Sequence, residues 1–365
     1  MDNLAHTLVG AALGRAVGAG RVPAAGWIGA VAANAPDWAE FLLGFWPSRG
    51  SISYYAWHRG ITHSLAGAAI SVVGIALAVW LLHAAVRRTQ PRSDDRSAPR
   101  LRIGVLAILV SAAVFSHVYM DWQGSYGVRL LLPWNASWYY ADWVAIVDPF
   151  FWLVPLVALA WGSERHWRDL LPAVLLGAII AWAVLGVDGV PAWLRVGSSV
   201  MLVLGAVGWV RHWFGVAARR RVSTLALLAL ACYAGAQGVA SVPAKAATRR
   251  AAVLRFGSDA QWATLTRVAH PFAWEPVVAS RDTVAGPSWV LPRHLDDPRV
   301  QHVLRETLAG RTLSQFARFL TATVDSGPEG VVVTLRDARY ARPPATGWGA
   351  VSVPVRAKSP ESLPR

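Results

Sequence analysis

The sequence predicts an all-α polytopic membrane domain of about six to eight helices, followed by a small soluble α+β domain. Three observations support this fold class. The 365-residue chain is 55% hydrophobic and only 15% charged, which is typical of an integral membrane protein with a soluble portion attached. Long apolar segments recur as far as residue 242. Beyond that residue, charged residues and prolines are frequent, and no apolar segment is long enough to span a bilayer.

The membrane domain is predicted from eight apolar segments. They lie at residues 4–19, 22–35, 61–86, 103–121, 144–162, 170–187, 192–210 and 222–242. A bilayer core requires about 20 apolar residues of helix, so we expect the longer segments to span it. The first two are short and rich in Gly and Ala. Because Gly10, Gly14 and Gly18 share one helical face, we expect these two segments to form a tight helical hairpin.

Basic residues indicate the orientation of the helices. Lys and Arg residues cluster in alternate connections, most densely in residues 87–102 and 211–221. Such connections are expected on the cytoplasmic side of a bacterial inner membrane. Eight crossings then place both termini outside. The N-terminus has no basic residue before Arg15 and is not typical of a signal peptide, so we expect it to be retained.

The C-terminal domain, residues 243–365, is expected in the periplasm. Residues 331–335 and 349–355 have the composition of strands, and residues 297–308 and 313–320 that of short helices. The domain assignment is therefore residues 1–242 for the helical membrane domain and 243–365 for the α+β domain.

Charge and cysteine content exclude several classes of protein. The net charge is +14, but the basic residues lie largely in short connections between apolar segments, so we expect no nucleic-acid partner. The single cysteine, Cys232, lies in an apolar segment. A disulfide framework or a thiolate metal site within one chain is therefore excluded.

Six residues with metal-ligand side chains fall at the same, outer end of the predicted helices. They are His6, Asp37, His58, His63, His117 and Asp121. His117 and Asp121 are four residues apart and share one helix face. Imidazole nitrogen together with carboxylate oxygen suits Zn²⁺ or a similar divalent ion without cysteine. Six candidates exceed the three ligands of one catalytic zinc, so we expect one or two ions.

The same residues suggest hydrolytic chemistry. Arg59, between His58 and His63, is placed to hold an anionic oxygen such as that of a phosphate. Asp37 or Asp121, if it does not bind metal, would accept a proton from water. Because the residues lie at the membrane surface, we expect the bilayer as a partner and a phospholipid or lipid-linked phosphoester as the substrate.

Other interpretations remain open at this point. Single histidines are common at membrane interfaces, Asp37 could cap a helix after Pro36, and Asp121 could be solvated in a loop. A metal could also connect helices in a non-catalytic membrane protein. In a b-type cytochrome, His63 and His117 would be the axial haem ligands.

Four motifs together resemble a known family. They are His6-Thr7 before the glycine-spaced helix face, Pro36-Asp37, His58-Arg59-Gly60-Ile61-Thr62-His63-Ser64, and Ser116-His117-x3-Asp121 followed by Gly124. In this combination they resemble the LexA-regulated, membrane-bound metal-dependent hydrolases over about residues 1–160. Residues 271–274 and 335–340 are similar to the extension of longer members.

The resemblance implies an inner-membrane, metal-dependent hydrolase in which the six residues bind the metal. The order of His and Asp residues is more distantly similar to that of zinc-dependent phospholipases C and related nucleases, which act on phosphoesters. The further His and Glu ligands of those enzymes have no match in this sequence. Asp37 also lacks the second Asp and His that often follow closely in the family.

Overall fold

The computed structural model describes residues 1–42, 52–89, 101–164, 167–327, 330–345 and 347–355. The chain divides into two compact units, each drawing on several segments. The first unit contains Met1–Ala39, Arg59–Ser241 and Thr266–Ala273, and the second contains Glu40–His58, Val242–Leu265 and Trp274–Arg365. Two segments were not predicted to join these units, namely residues 40–58 in the second unit and 266–273 in the first.

Nine helices are described before the first strand. They are α1 Asn3–Gly18, α2 Ala25–Leu42, α3 Ile52–Trp57, α4 Leu65–Thr89, α5 Ile103–Trp122, α6 Pro149–Trp161, α7 Trp167–Leu185, α8 Ala192–Val210 and α9 Arg219–Phe256. Short 3-10 turns lie at Ile61–His63 and Val216–Ala218. All but α3 coincide with the eight predicted apolar segments. The predicted helical membrane domain is confirmed.

The outward faces of the long helices are apolar. Within the described residues, four stretches are long and apolar enough to cross a membrane, namely Leu65–Thr89, Ile103–Trp122, Ala192–Val210 and Val216–Phe256. Only 11% of the most apolar 18-residue stretch of α4 is buried, and Ile70, Val73 and Leu82 in this helix are exposed. An apolar surface of this extent requires a nonpolar environment such as lipid. The prediction of eight crossings stays a prediction.

Several element bounds differ from the predicted ones. α2 continues through Pro36 to Leu42, so Asp37 lies inside the helix and not after it. The third apolar segment begins as a 3-10 turn, and α4 starts only at Leu65. Ser64 separates them, because its hydroxyl donates to the Ile61 carbonyl at 2.7 Å and accepts from the Gly67 amide at 3.0 Å. The last apolar segment is part of the 38-residue helix α9.

Helix α1 lies in the centre of the first unit, since its residues take part in two buried clusters. Ala5 and Val9 belong to a cluster with Phe151 of α6, while Leu8 belongs to another with Leu194 of α8. A helix buried on several sides has little freedom to rotate or shift. The polar residues at its N-terminal end are therefore held in fixed positions.

The second unit contains two antiparallel sheets and the remaining helices. The strands are β1 Gln261–Thr266, β2 Trp274–Ala279, β3 Thr283–Ala285, β4 Val290–Pro292, β5 Leu320–Gly327, β6 Gly330–Asp337 and β7 Ala350–Val355; the helices are α10 Pro298–Glu306 and α11 Leu308–Phe316. The strand orders are β1-β2-β3-β4 and β5-β6-β7. The small α+β domain is thereby confirmed.

One predicted helix of this unit ends early. The sequence predicts a helix over residues 313–320, but α11 ends at Phe316, and Leu320 begins β5. Leu320 pairs with Asp337 of β6, and its neighbour Phe319 is buried in the core. Tertiary packing therefore overrides the local helical pattern.

Candidate metal centre

Three helices and one 3-10 turn of the first unit supply the candidate ligands. His6 lies near the start of α1, Asp37 in α2, His63 in the 3-10 turn, and His117 and Asp121 one turn apart on α5. Each of these five residues is at most 8% exposed. The ligand side chains therefore come from four separate parts of the sequence and meet in the protein interior.

The start of α1 is fixed by Asp2. Its carboxylate accepts hydrogen bonds from the amides of Leu4 and Ala5, both at 3.0 Å, and from the indole nitrogen of Trp152 at 2.9 Å. Burial raises the pKa of Asp2 above its usual value. This cap holds the first turn of α1, and therefore His6, against α6.

Helices α1 and α2 approach each other at glycine. A Cβ atom on Gly29 would lie 2.1 Å from the carbonyl oxygen of Gly10, a separation that no larger residue tolerates. The predicted tight hairpin is thus present, with small residues at the crossing. Beyond the crossing, Asn3 of α1 donates a hydrogen bond to Asp37 of α2 at 2.8 Å.

The first group of converging ligand atoms is a triangle. Asp37 Oδ1 lies 3.2 Å from His63 Nε2 and 3.7 Å from His117 Nε2, and the two Nε2 atoms are 3.0 Å apart. Ligand atoms on a tetrahedral ion with bonds of about 2.0 Å lie about 3.3 Å from one another. The triangle therefore has the dimensions of one face of such a coordination shell.

The second group contains His6, His117 and Asp121, whose ligand atoms lie within 4.8 Å of one another. The His6 and His117 rings stack with centroids 3.8 Å apart. His6 Nε2 is 3.3 Å from Asp121 Oδ1 but is not aligned for a hydrogen bond. Neither ring nitrogen of His6 has a hydrogen-bond partner within the described part of the chain. A buried imidazole in this state is suited to bind a ligand or an ion.

His117 belongs to both groups, and its two nitrogens have different roles. Nδ1 lies 2.6 Å from the Ala33 carbonyl oxygen, which can only accept, so Nδ1 carries the proton. The neutral ring then presents its Nε2 lone pair to the centre, as in most metal-binding histidines. One lone pair serves one ion. His117 can therefore bind an ion in only one of the two groups at a time.

Asp121 has a different environment on each oxygen. Oδ1 accepts from Arg59 at 2.9 Å and also contacts the Met1 amine. Oδ2 faces the Nε2 atoms of His63 and His117 at 3.4 and 3.5 Å. Burial lowers the pKa of the Met1 amine, and the Asp121 carboxylate acts in the opposite direction.

Arg59 is buried beside Asp121. Its backbone φ of 55° is in the left-handed region, which a residue with a side chain rarely adopts. Besides its ion pair with Asp121, its guanidinium lies 3.3 Å from the Gly127 carbonyl oxygen and 4.5 Å from the ring centroid of Tyr126. Such strained, over-determined residues are typical of functional sites. The predicted role of Arg59 in holding an anionic oxygen stays a prediction.

The structure brings five of the six predicted ligands together. These are His6, Asp37, His63, His117 and Asp121. His58 belongs to the second unit, where its ring stacks on Tyr54 at a centroid distance of 4.5 Å, and its role as a ligand stays a prediction. The haem alternative is disfavoured, because the 3.0 Å separation of the His63 and His117 nitrogens leaves no room for a porphyrin between them.

Three groups that contact the ligands at hydrogen-bond distance were not predicted from the sequence. They are the side chains of Asn3 and Thr62 and the main-chain carbonyl of Ala33. Thr62 Oγ1 lies 3.0 Å from Nδ1 of His63, so the outer nitrogen of this histidine also has a partner. Thr62 could have been found from its position beside His63. A backbone carbonyl carries no sequence signal at all.

Fold and site together define a class of protein, a polytopic membrane protein with a buried cluster of imidazoles and carboxylates near the ends of its first helices. The chain belongs to the YdjM inner membrane protein family, whose model matches residues 1–192, more than half of the sequence. All six predicted ligands lie in the matched region. No curated protein and no solved structure matches the chain. The protein is thus an inner-membrane protein of the YdjM family.

Proposed function

We propose that the protein is a membrane-bound, metal-dependent hydrolase that acts on a phosphoester, either a phospholipid or a lipid-linked compound, at the outer face of the inner membrane. The observation that carries the proposal is the triangle of Asp37 Oδ1, His63 Nε2 and His117 Nε2, with sides of 3.0 to 3.7 Å. Two neutral imidazoles and one carboxylate form a ligand set typical of catalytic zinc, which keeps a fourth position open.

When bound, a divalent cation such as zinc supplies Lewis-acid polarisation of the ester and lowers the pKa of water. The chain contributes the ligands and their orientation. His117 Nδ1 donates to the Ala33 carbonyl, which leaves its Nε2 to face Oδ1 of Asp37. Pre-organised ligands of this kind reduce the reorganisation that substrate binding would otherwise require.

The two carboxylates have separate roles in this proposal. Asp37 is a ligand, because its Oδ1 belongs to the triangle. Asp121 is adjacent, with Oδ2 within 3.5 Å of both triangle nitrogens, and it accepts the proton from the attacking water. Arg59 balances the charge of Asp121 and extends the positive character of the site towards an anionic substrate. His6, whose Nε2 lies 3.3 Å from Oδ1 of Asp121, would hold a second ion together with Asp121.

The membrane location supports a lipid substrate. The family is one of the inner membrane. Helix α5, which carries His117 and Asp121, is itself a candidate span, and the turn with His63 directly precedes another, α4. The distribution of Lys and Arg favours the outer face for the ligand end of these helices and the periplasm for the C-terminal domain. The sequence predicts the ligand end of these helices at the membrane surface, where the phosphoester group of a lipid headgroup is also found.

A structural metal site is the second candidate. The observation that favours it is burial, since His63 and His117 are fully buried and Asp121 is 1% exposed. Structural zinc sites are closed in this way, whereas catalytic sites keep a position open to substrate. The two functions share the same ligands and differ only in whether a substrate reaches them.

Zinc analysis of the full-length, detergent-purified protein tests the proposal. Wild-type protein is expected to retain zinc, and the single variants His63→Ala and His117→Ala are expected to lose most of it. His83→Ala is the matched control, because it removes an imidazole from α4 far along the helix from the turn that carries His63. Equal zinc content in all three variants would remove the basis of the proposal.

Activity separates the two candidates. The same four proteins are assayed with bis(p-nitrophenyl) phosphate and with phospholipid vesicles. A hydrolase should cleave at least one of these substrates in the wild-type and His83→Ala proteins, and not in the His63→Ala and His117→Ala proteins. Zinc retention without any turnover on a wider phosphoester panel would favour the structural site.

A further inference from the structure

Asn3 is an exposed residue at the start of α1 with a side chain directed at the metal centre. Its amide nitrogen lies 2.8 Å from Oδ2 of Asp37. A carboxylate only accepts hydrogen bonds, so it is the NH₂ group of Asn3 that faces it. With Oδ2 engaged in this way, Oδ1 is the oxygen that faces His63 Nε2 at 3.2 Å.

We propose that Asn3 is a positioning residue that sets the direction of the Asp37 carboxylate in the metal centre. This inference rests on the proposed function. Asp37 requires such a partner more than the other ligands do. Its side chain is 10% exposed, whereas the side chains of His63 and Asp121 are 0% and 2% exposed. Packing alone therefore restrains Asp37 least.

A second amide supports Asn3 from α2. Asn34 Oδ1 lies 3.5 Å from the Asn3 amide nitrogen, and Asn34 Nδ2 donates to Thr7 Oγ1 and to the Ala30 carbonyl, both at 2.9 Å. Asn34 is only 2% exposed, and both of its amide atoms have partners. The two amides thus connect α1 to α2 beside Asp37 and are fixed in orientation by groups of both helices.

The expected size of the effect follows from other metal sites. Carboxylate ligands are usually hydrogen-bonded through their second oxygen, and loss of that partner lowers metal affinity about 10–100-fold. Without Asn3, the Asp37 carboxylate gains freedom to rotate, and Oδ1 leaves the triangle for part of the time. The Asn3 amide nitrogen donates to Asp37 and lies beside Asn34, so its action on the triangle passes through Asp37.

The test uses the full-length protein in detergent and two variants of the same position. Asn3→Ala removes the donor, and Asn3→Asp keeps the shape but places a second carboxylate beside Asp37. An acidic residue in the first turn interacts favourably with the helix dipole, so Asn3→Asp does not weaken α1 itself. Asn135→Asp makes the same chemical change in an exposed loop and serves as the control. Zinc affinity is measured by competition with a chelator, and the geometry of the site by the visible absorption of the Co²⁺-loaded protein.

Both Asn3 variants are expected to bind zinc about 10–100-fold more weakly and to show an altered Co²⁺ spectrum, while Asn135→Asp matches the wild type. Wild-type affinity and an unchanged spectrum in both Asn3 variants would overturn the positioning role and leave the proposed function intact. A wild-type protein that binds neither ion would overturn the proposed function and, with it, the role of Asn3.

Discussion

Two Arg–Asp ion pairs in this protein have the same N–O distance, but one is buried and the other is exposed to solvent. The N–O distance is 2.9 Å both in Arg59–Asp121 and in Arg281–Asp296. The side chains of the first pair are 4% and 2% exposed, and those of the second are 80% and 63% exposed. Removing one partner of a buried pair leaves an uncompensated charge in a medium that cannot solvate it. The exposed pair has water as a substitute.

The residue-scale prediction compares these pairs. Arg59→Met should cost about 3–5 kcal/mol of unfolding free energy, because it leaves the Asp121 carboxylate buried with one cation fewer. Arg281→Met should leave the unfolding free energy close to that of the wild type, because water replaces the lost partner. Circular dichroism during heating in detergent measures both; the first variant should unfold roughly 4–7 °C lower than the second. Equal midpoints would mean that Asp121 does not depend on Arg59 for its charge balance.

At the scale of elements, the positions of the ligands depend on how closely α1 and α2 approach. Gly29 and Gly10 meet at the crossing, where a single methyl group would overlap a backbone carbonyl. Displacement of α2 would carry Asp37 away from His63, since both distances in the triangle that involve Asp37 are set by that crossing. The glycines of this hairpin therefore affect the site without touching it.

Gly29→Ala is expected to lower both thermal stability and zinc content, because the helices must separate to admit the new Cβ atom. Gly74→Ala on α4 is the matched control, since nothing lies within 4 Å of the position its Cβ would take. The control should be neutral or more stable by up to about 1 kcal/mol, as Ala favours helix over Gly. Parallel behaviour of the two variants in melting and zinc analysis would contradict the role of the crossing.

At the scale of the whole molecule, orientation in the membrane decides where the site works. The basic connections predict that the end of α4 is cytoplasmic and that the C-terminal domain is periplasmic. In a Cys232→Ser background, Ser258→Cys should react with an impermeant maleimide on intact spheroplasts. Thr89→Cys, also at an exposed position, should react only after permeabilisation. Labelling of residue 89 from outside would reverse the assigned orientation.

The C-terminal region contributes a short segment to the first unit. Residues 266–273 belong to the first unit, and within it Thr266 bonds to Ser125, Ala269 to Val147 and Phe272 to Gln237. Removal of residues 250–365 should therefore lower the melting temperature. It should leave the zinc content per folded protein unchanged, because all five converging ligands lie before residue 122. Loss of zinc from the folded, truncated protein would show that the C-terminal region contributes to the site.

The helices of the membrane domain and the candidate metal ligands could be predicted from the sequence alone. The apolar segments are visible in the sequence, and eight helices coincide with them, since in lipid the backbone must satisfy its own hydrogen bonds. Four stretches of the described residues are long and apolar enough to cross a membrane. The candidate ligands were also visible, because His and Asp are rare in apolar segments and therefore conspicuous. The i, i+4 spacing of His117 and Asp121 placed them on one face without any tertiary information.

Tertiary structure alone decided which ligand atoms meet and what orients them. No spacing in the sequence brings Asp37, His63 and His117 within 3.7 Å, since they come from elements up to 80 residues apart. The Ala33 carbonyl that fixes His117, and the amide of Asn3 that holds Asp37, act through space and leave no local pattern. Local sequence determines which residues can form helices and bind metal. Packing of those helices determines which of their atoms face one another.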